Sequence, residues 1–211
     1  MASSGEWSLN LTKRIPIGGG LGGGSSNAGT ILSHFWKGEL NADRISQAVS
    51  LGADVPFFLH RTPAMVYGVG ETVSPIQWQS EIPKLYFLLL VLPVSTSTPA
   101  VFSDFKRHGR FGTSQRADWE KVWDADTLND YLAQAQNDLE PSARRVTPLI
   151  GQALDSMRLL PARHVALSGS GSTCFGIFDD EATRQESDKA LQKFCREHQC
   201  RTLRAETFAE R

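Results

Sequence analysis

Cysteine is scarce in this chain. Three thiols, Cys174, Cys195 and Cys200, are odd in number and irregular in spacing. That excludes a disulfide framework and suits a reducing compartment. His198 lies between the last two, but Cys-x4-Cys with one nearby histidine is a poor zinc pattern, so no metal site is expected from it. Long apolar runs are also lacking. The longest, Leu85 to Val94, falls well short of the ~18–20 residues that span a bilayer. The opening Met1-Ala2-Ser3-Ser4-Gly5-Glu6 has no apolar core of a secretion signal. Excess charge of either sign is missing: 22 Lys+Arg against 23 Asp+Glu give a formal net charge of −1. No broad field therefore favours nucleic acid or an anionic membrane. The expectation is a cytoplasmic protein (or one of an organelle stroma) with neither nucleic acid nor membrane as partner.

Glycine, by contrast, is concentrated. Residues 16–29 read Pro-Ile-Gly-Gly-Gly-Leu-Gly-Gly-Gly-Ser-Ser-Asn-Ala-Gly, with six glycines in seven positions. A loop without side chains lets backbone N–H groups approach a ligand closely. Ile31, Leu32, Phe35 and Trp36 follow at helical spacing, so a helix N-terminus adds oriented donors and partial positive charge. Together these predict a cradle for a phosphate chain. The literal Gly18-x-Gly20-x-x-Gly23 is weak support for a dinucleotide site. Glu39 and Asp43 fall in a helix break rather than at a strand end. No lysine follows the glycines, as a Walker A loop needs. A flexible linker is the plain alternative.

Local patterns predict a mixed order of elements. Trp7, Leu9 and Leu11 alternate with polar residues and read as a half-buried strand. Ser25 or Ser26 is expected to cap a helix to about Lys37, and Asn41 or Asp43 to start another ending near Gly52. Two strands flank Gly68-Val69-Gly70, and the polar stretch Gln77 to Pro83 reads as a linker. A strong strand spans Leu85 to Leu92, and a short helix runs through Val101, Phe102 and Phe105. Residues 107–118 read as a surface loop, and helices are expected around 127–136 and 141–159. Strands at Val165–Leu167 and Thr173–Phe178 flank Gly169-Ser170-Gly171. An amphipathic helix, Glu181 to Glu197, and a final strand, Arg201 to Thr207, complete the chain. Strands are grouped rather than alternating with helices, which favours an α+β fold.

Three further segments are candidates for chemistry. Asp54, in Leu-Gly-Ala-Asp-Val-Pro-Phe-Phe, is either a turn cap before Pro56 or a catalytic carboxylate that accepts a proton or orients a hydroxyl. Ser168-Gly169-Ser170-Gly171-Ser172 is either a plain tight turn or a second surface where a phosphate meets backbone donors. Asn137-Asp138-Leu139-Glu140, taken alone, is a helix–helix junction.

In this order the segments resemble the GHMP kinase superfamily, within it most closely the kinases of cytidine diphosphate-linked methylerythritol. The run from Pro16 to Asn27, the Asp54 segment, Ser168 to Ser172, Asn137 to Glu140 and Ser95 to Phe102 carry the resemblance, over nearly the whole chain from Leu9. It implies a partial N-terminal ATP-binding domain (ribosomal protein S5 domain 2-like) at residues 1–83 and a ferredoxin-like C-terminal domain at 84–211. It implies ATP and Mg²⁺ as cofactors and a small-molecule substrate, phosphorylated on the 2-hydroxyl of its methylerythritol unit. The triphosphate would lie on Gly18, Gly19, Gly20, Leu21, Gly22, Gly23, Gly24, Ser25, Ser26 and Asn27, with Ser26 a candidate contact to Mg²⁺ or phosphate. Asp54 would be catalytic; Thr98, Phe102, Gly169, Ser170 and Gly171 would meet the substrate. A non-catalytic nucleotide-binding remnant and another GHMP small-molecule kinase are the alternatives.

The resemblance also implies about 80–90 residues ahead of Trp7, judged by usual domain size. They carry a Pro-x-Lys-x-Asn motif, whose lysine pairs with the catalytic aspartate, and a Tyr-His pair that contacts cytosine. Neither is in this sequence, and Lys13 lies in the wrong place to take the lysine's role. The expectation is that Met1 is not the native start. A second expectation is that the apolar faces left without partners make the chain poorly soluble or pair it with another.

Overall fold

The computed structural model describes residues 7–110 and 122–207. Helix α1 (Gly23–Phe35) follows the glycine loop, and α2 (Ala42–Leu51) and the single turn α3 (Phe57–His60) follow it. The hairpin β1 (Ala64–Tyr67) and β2 (Thr72–Pro75) comes next. Strand β3 (Tyr86–Val91) then opens the second half, with α4 (Thr98–His108), α5 (Ala125–Gln134), α6 (Glu140–Val146) and α7 (Pro148–Arg158). It ends with β4 (His164–Leu167), β5 (Cys174–Phe178), α8 (Glu181–His198) and β6 (Arg201–Glu206).

The uncharged run Tyr86–Val91 takes a central place because both its faces can be buried. Leu88 pairs with Gly176 on one side and Arg204 on the other, in an antiparallel sheet of order β4-β5-β3-β6. This is the ferredoxin-like arrangement. On one face Leu88 and Leu90 pack with Ile150, Leu154 and Met157 of α7 and Leu191 of α8. On the other, Leu85 and Ile177 meet Trp123, Leu128 and Leu132. The fold is α+β, as the grouped strands predict.

Local chemistry sets the helix ends. Asn41 caps α2 by accepting from the Arg44 N–H at 3.0 Å, and Asp180 caps α8 by accepting from Thr183 at 2.8 Å. The helix expected over 141–159 is two, because Pro148 lacks an N–H and disfavours helical geometry at Thr147. Helix α1 starts at Gly23, with Gly22 left-handed (φ 62°) at its N-cap and no side-chain cap. Ser25 and Ser26 therefore sit inside its first turn instead of capping it.

Residues 7–12 form no strand. Alternation makes a strand only where a neighbour supplies ladder hydrogen bonds, and among the described residues none lies alongside. Trp7 instead stacks edge-on against Phe35, with ring centroids 5.1 Å apart, while Leu9 and Leu11 stay exposed. The expected linker is held at one end: Trp123 donates to Gln77 O at 2.7 Å, and Gln79 N donates to Trp123 O at 2.9 Å. The loop expected at 107–118 lies mostly outside the described residues. No helix among the described residues is long and apolar enough to cross a membrane.

Burial pushes the Cys174 and Cys200 thiols up to about 12, so they stay protonated. Among the described residues no group of three or more His, Cys, Asp or Glu is placed to hold a metal ion.

Asp104 ties α4 to α6. It accepts from Arg145 Nε at 2.9 Å and from Arg145 Nη2 at 2.6 Å. The Arg145 hydrogen bonds, with help from Ser142 and His108, hold its carboxyl down to about 2, against an ordinary 3.8. A lowered folded-state pKa stabilises above the unfolded value and fades as pH falls through the folded one. Asp104→Asn should therefore lower the urea midpoint at pH 6, with the difference from wild type shrinking from pH 4 towards pH 2. Leu154, fully buried in α7, should cost about 3 kcal/mol on truncation to Ala in urea unfolding.

Candidate active site

The glycine loop is held by backbone, and its glycines are needed where backbones meet. Gly18, Gly20 and Gly22 have φ of 70°, 75° and 62°. At Gly20 a side chain is excluded twice: the φ is left-handed, and a Cβ would overlap the Ser168 carbonyl and lie 2.9 Å from the Gly171 oxygen. The expected second glycine turn therefore lies directly against the first. Thr173 N donates to Gly19 O at 3.1 Å, and Ser168 Oγ donates to Gly20 O at 2.8 Å. The buried Thr173 hydroxyl has no partner among the described residues and lies 2.8 Å from where a Gly19 Cβ would sit.

Helix α1 leaves its first N–H groups without intrahelical acceptors. Gly23, Gly24 and Ser25 supply them, beside the left-handed Gly22. Among the described residues nothing lies within 4 Å of a Cβ built on Gly24, so the loop is open on that side, as the expected phosphate cradle requires. Lys13 Nζ reaches Gly23 O at 3.4 Å. A cavity of about 450 Å³ behind the loop is lined by Pro16, Gly19, Ser95, Ser172 and Arg201.

Asp54 sits in the turn between α2 and α3 and is exposed. The turn closes through Val55 N donating to Gly52 O at 3.0 Å. Among the described residues the Asp54 carboxylate has no hydrogen-bond or ion-pair partner, so the cap reading falls away. Packing brings this turn to the glycine loop. The Phe58 ring lies against Gly22, and a Cβ at Gly29 would come within 2.7 Å of the Phe58 Cβ. Ser25 Oγ lies 3.7 Å from a Cβ built on Gly52. On the other side, Gly70 (φ 106°) of the β1–β2 turn presses on the Ala53 carbonyl, which a side chain would overlap. Sequence reasoning missed Gly70 as part of this site. Its signal was the Gly-x-Gly hairpin turn, which reads as local geometry until a contact partner is seen.

The remaining candidates divide. Thr98, at the first turn of α4, shares a hydrogen bond of 2.8 Å with Ser170 of the second turn. Gly169 lies against Gly20, where a Cβ built on Gly169 would be 3.4 Å from the Gly20 carbonyl oxygen, and Gly171 abuts Ile150. Phe102 lies one turn further along α4 and is half exposed. It lines a cavity of about 960 Å³ on the Trp123 side of the sheet, with Phe87, Asn137, His164 and Phe175. Burial lowers the His164 pKa there, which favours the neutral imidazole. The structure thus joins Thr98, Gly169, Ser170 and Gly171 to the glycine loop, while Phe102 faces a second space.

Comparison with known proteins agrees with this arrangement. The family description "GHMP kinases N terminal domain" matches residues 3–62, and "GHMP kinases C terminal" matches residues 122–197. The 4-diphosphocytidyl-2-C-methyl-D-erythritol kinase of Chelativorans sp. (strain BNC1) is 34% identical over 191 residues, which is 88% of this chain and 62% of that protein. The kinase of the same name from Granulibacter bethesdensis is 37% identical over 191 residues, 87% of this chain and 61% of that one. A crystal structure of 4-(cytidine 5'-diphospho)-2C-methyl-D-erythritol kinase superposes with a TM-score of 0.66 and 29% identity, covering 92% of this chain and 68% of that one. Homoserine kinase from Cytophaga hutchinsonii shares the fold, with a TM-score of 0.61 at 13% identity over 93% of this chain and 68% of its own. The chain spans about three-fifths of the length of the curated relatives it matches. Both halves of one family's domain pair are matched in order, and the glycine loop of the first is seated on the glycine turn of the second: the chain belongs to the GHMP kinases.

Proposed function

We propose that this chain belongs to a small-molecule kinase that transfers the γ-phosphoryl group of ATP to the 2-hydroxyl of 4-diphosphocytidyl-2-C-methyl-D-erythritol. The observation that carries the reading is the joint between the two glycine segments, with the unpartnered Asp54 carboxylate one packed turn away. The relatives' names supply the substrate. On this reading the chain divides into a part of the ATP-binding domain at 1–83 and a C-terminal domain at 84–211, and it works in the cytoplasm or a plastid stroma.

Phosphoryl transfer needs little covalent chemistry from the protein; positioning and charge neutralisation do most of it. Backbone N–H groups from Gly18 to Ser25 would hold the triphosphate, with the α1 N-terminus contributing its positive end. The Ser26 N–H already donates to Gly22 O at 2.8 Å, which leaves Ser26 and Asn27 to act through their side chains. Asp54 would accept the hydroxyl proton or hold the hydroxyl in line for attack. Mg²⁺ usually takes one or two carboxylates, phosphate oxygens and water rather than an all-protein cage. Asp54 and the Ser26 hydroxyl suit that role, and when bound the ion would neutralise charge on the phosphates. Thr98, Gly169, Ser170 and Gly171 form the seam where the acceptor would meet the nucleotide. Phe102 offers an aromatic face for the cytidine end.

Two measurements test this. ADP release with ATP and substrate present should fall at least about 100-fold in Asp54→Asn, the scale of a lost general base, with the KM for ATP little changed. Equal rates from the two proteins would sink the role of Asp54. A chain that binds nucleotide but releases no ADP overturns the transfer half of the proposal. Gly20→Ala should weaken binding of a non-hydrolysable ATP analogue in calorimetry by about tenfold or more, because the added Cβ separates the two loops. Unchanged affinity would place the triphosphate elsewhere.

A further inference from the structure

Asn137 lies in the junction between α5 and α6, and neither the proposed phosphate cradle nor the Asp54 turn gives it a task. Its side chain uses both halves of its amide. Nδ2 donates to Leu167 O at 2.9 Å and to Gly169 O at 2.7 Å. Oδ1 accepts from the Leu139 N–H at 3.0 Å. The two carbonyls flank Ser168, the residue whose hydroxyl donates to Gly20 O at 2.8 Å. They come from the end of β4 and from the turn, and their negative ends converge on one NH₂ group. Without that group, two carbonyl dipoles face each other unpaired.

The turn is held elsewhere too, by Ser172 Oγ donating to Val94 O and by Gly171 against Ile150, but among the described residues neither contact reaches these two carbonyls. Internally, Ser168 N donates to Thr173 O and Gly171 N donates to Ser168 O, both at 2.9 Å. Outwardly, it holds the glycine loop through Ser168 and Thr173 and meets Thr98 through Ser170. Gly169 carries φ of 56°, a conformation that a free glycine leaves readily. Asn137 is therefore the side chain that fixes the carbonyls on either side of Ser168, and through Ser168 the path of the glycine loop.

We propose that Asn137 is a positioning residue. It sets the conformation of the phosphate-binding loop without touching nucleotide, by holding the 167–169 backbone on which Gly20 rests. The part concerning nucleotide rests on the kinase reading above; the part concerning the loop does not.

Asn137→Asp is the sharp variant. It keeps the size of the side chain and an oxygen for Leu139 N–H, and removes both donated hydrogen bonds. Asn137→Ala, which introduces no charge, is the second variant. Hydrogen exchange should read the Thr173 amide, whose acceptor is Gly19 O, and the Gly171 amide. Both should exchange about tenfold faster in each variant, as expected for loss of bonds of ordinary strength. Amides of β3 and α7 should keep their wild-type rates. Affinity for a non-hydrolysable ATP analogue should fall by about tenfold, the same order as the loss of those bonds, while the urea midpoint stays close to wild type.

Wild-type exchange at Thr173 and Gly171 in Asn137→Asp overturns the inference and leaves the kinase reading standing. Faster exchange throughout β3 and α7 also overturns it, by making Asn137 a general support of the domain. Faster exchange confined to the turn, in a protein whose wild type binds no nucleotide, upholds the loop claim and overturns the kinase reading.

Discussion

Two hydrogen bonds, from Thr173 N to Gly19 O and from Ser168 Oγ to Gly20 O, join the first half of this chain to the second at the proposed site. Backbone must approach backbone for either to form. That requirement explains the glycine at Gly20, where an added Cβ would overlap the Ser168 carbonyl; at Gly169 it is the left-handed φ of 56° that favours glycine. The loop's carbonyls are turned toward the seam, which leaves N–H groups of the first turn of α1 for a ligand. The proposed phosphate cradle is thus made by two loops, and the glycine run supplies only one of them.

The second loop inherits its position from the sheet. The 168–173 turn links β4 and β5, which register through Leu167 opposite Cys174. Leu167 and Cys174 are both part of the core under α7. The turn is therefore anchored at both ends by buried residues. Gly171 rests on Ile150, itself fully buried. Ser172 donates to Val94 O, next to the short segment that leads from β3 into α4. Core packing, the β4–β5 register and the start of α4 all converge on the same few backbone atoms. This is the arrangement by which a rigid scaffold positions functional loops.

Much of this was legible in the sequence, for reasons that can be named. The loop ahead of α1 is legible because a dense glycine run before an apolar helical run has few other causes. The long strand, the hairpin and α8 were legible because period and composition agreed. The helix break at Thr147 is hard to read although Pro148 marks it, because the apolar period continues on either side. Residues 7–12 show the opposite failure. Their alternation is genuine, but a strand is a property of a pair, and its partner cannot be read from its own pattern. The two readings of Asp54 were beyond sequence for a similar reason. A cap and a free carboxylate differ only in what the oxygen atoms touch. Asn137 was least legible of all, since its partners lie 30 and 32 residues away.

The way Asp54 is held bears on what it can do. Among the described residues its carboxylate has no partner, but the backbone on either side is constrained. Ala53 carries the contact with Gly70 of the hairpin turn, and Val55 and Pro56 are buried. Phe58, one turn on, touches both Gly22 and Gly29. The β1–β2 hairpin, the Asp54 turn and α1 thus form one packed stack, with glycine at each close approach. A carboxylate that must meet a hydroxyl in line with a phosphate gains from a fixed backbone and an uncommitted side chain, because orientation is the larger part of such catalysis. Hydrogen bonds to the carboxylate itself would stabilise its charged form and oppose proton acceptance. Holding the residue through Gly70, Pro56 and Phe58 instead fixes its place and leaves its oxygen atoms uncommitted.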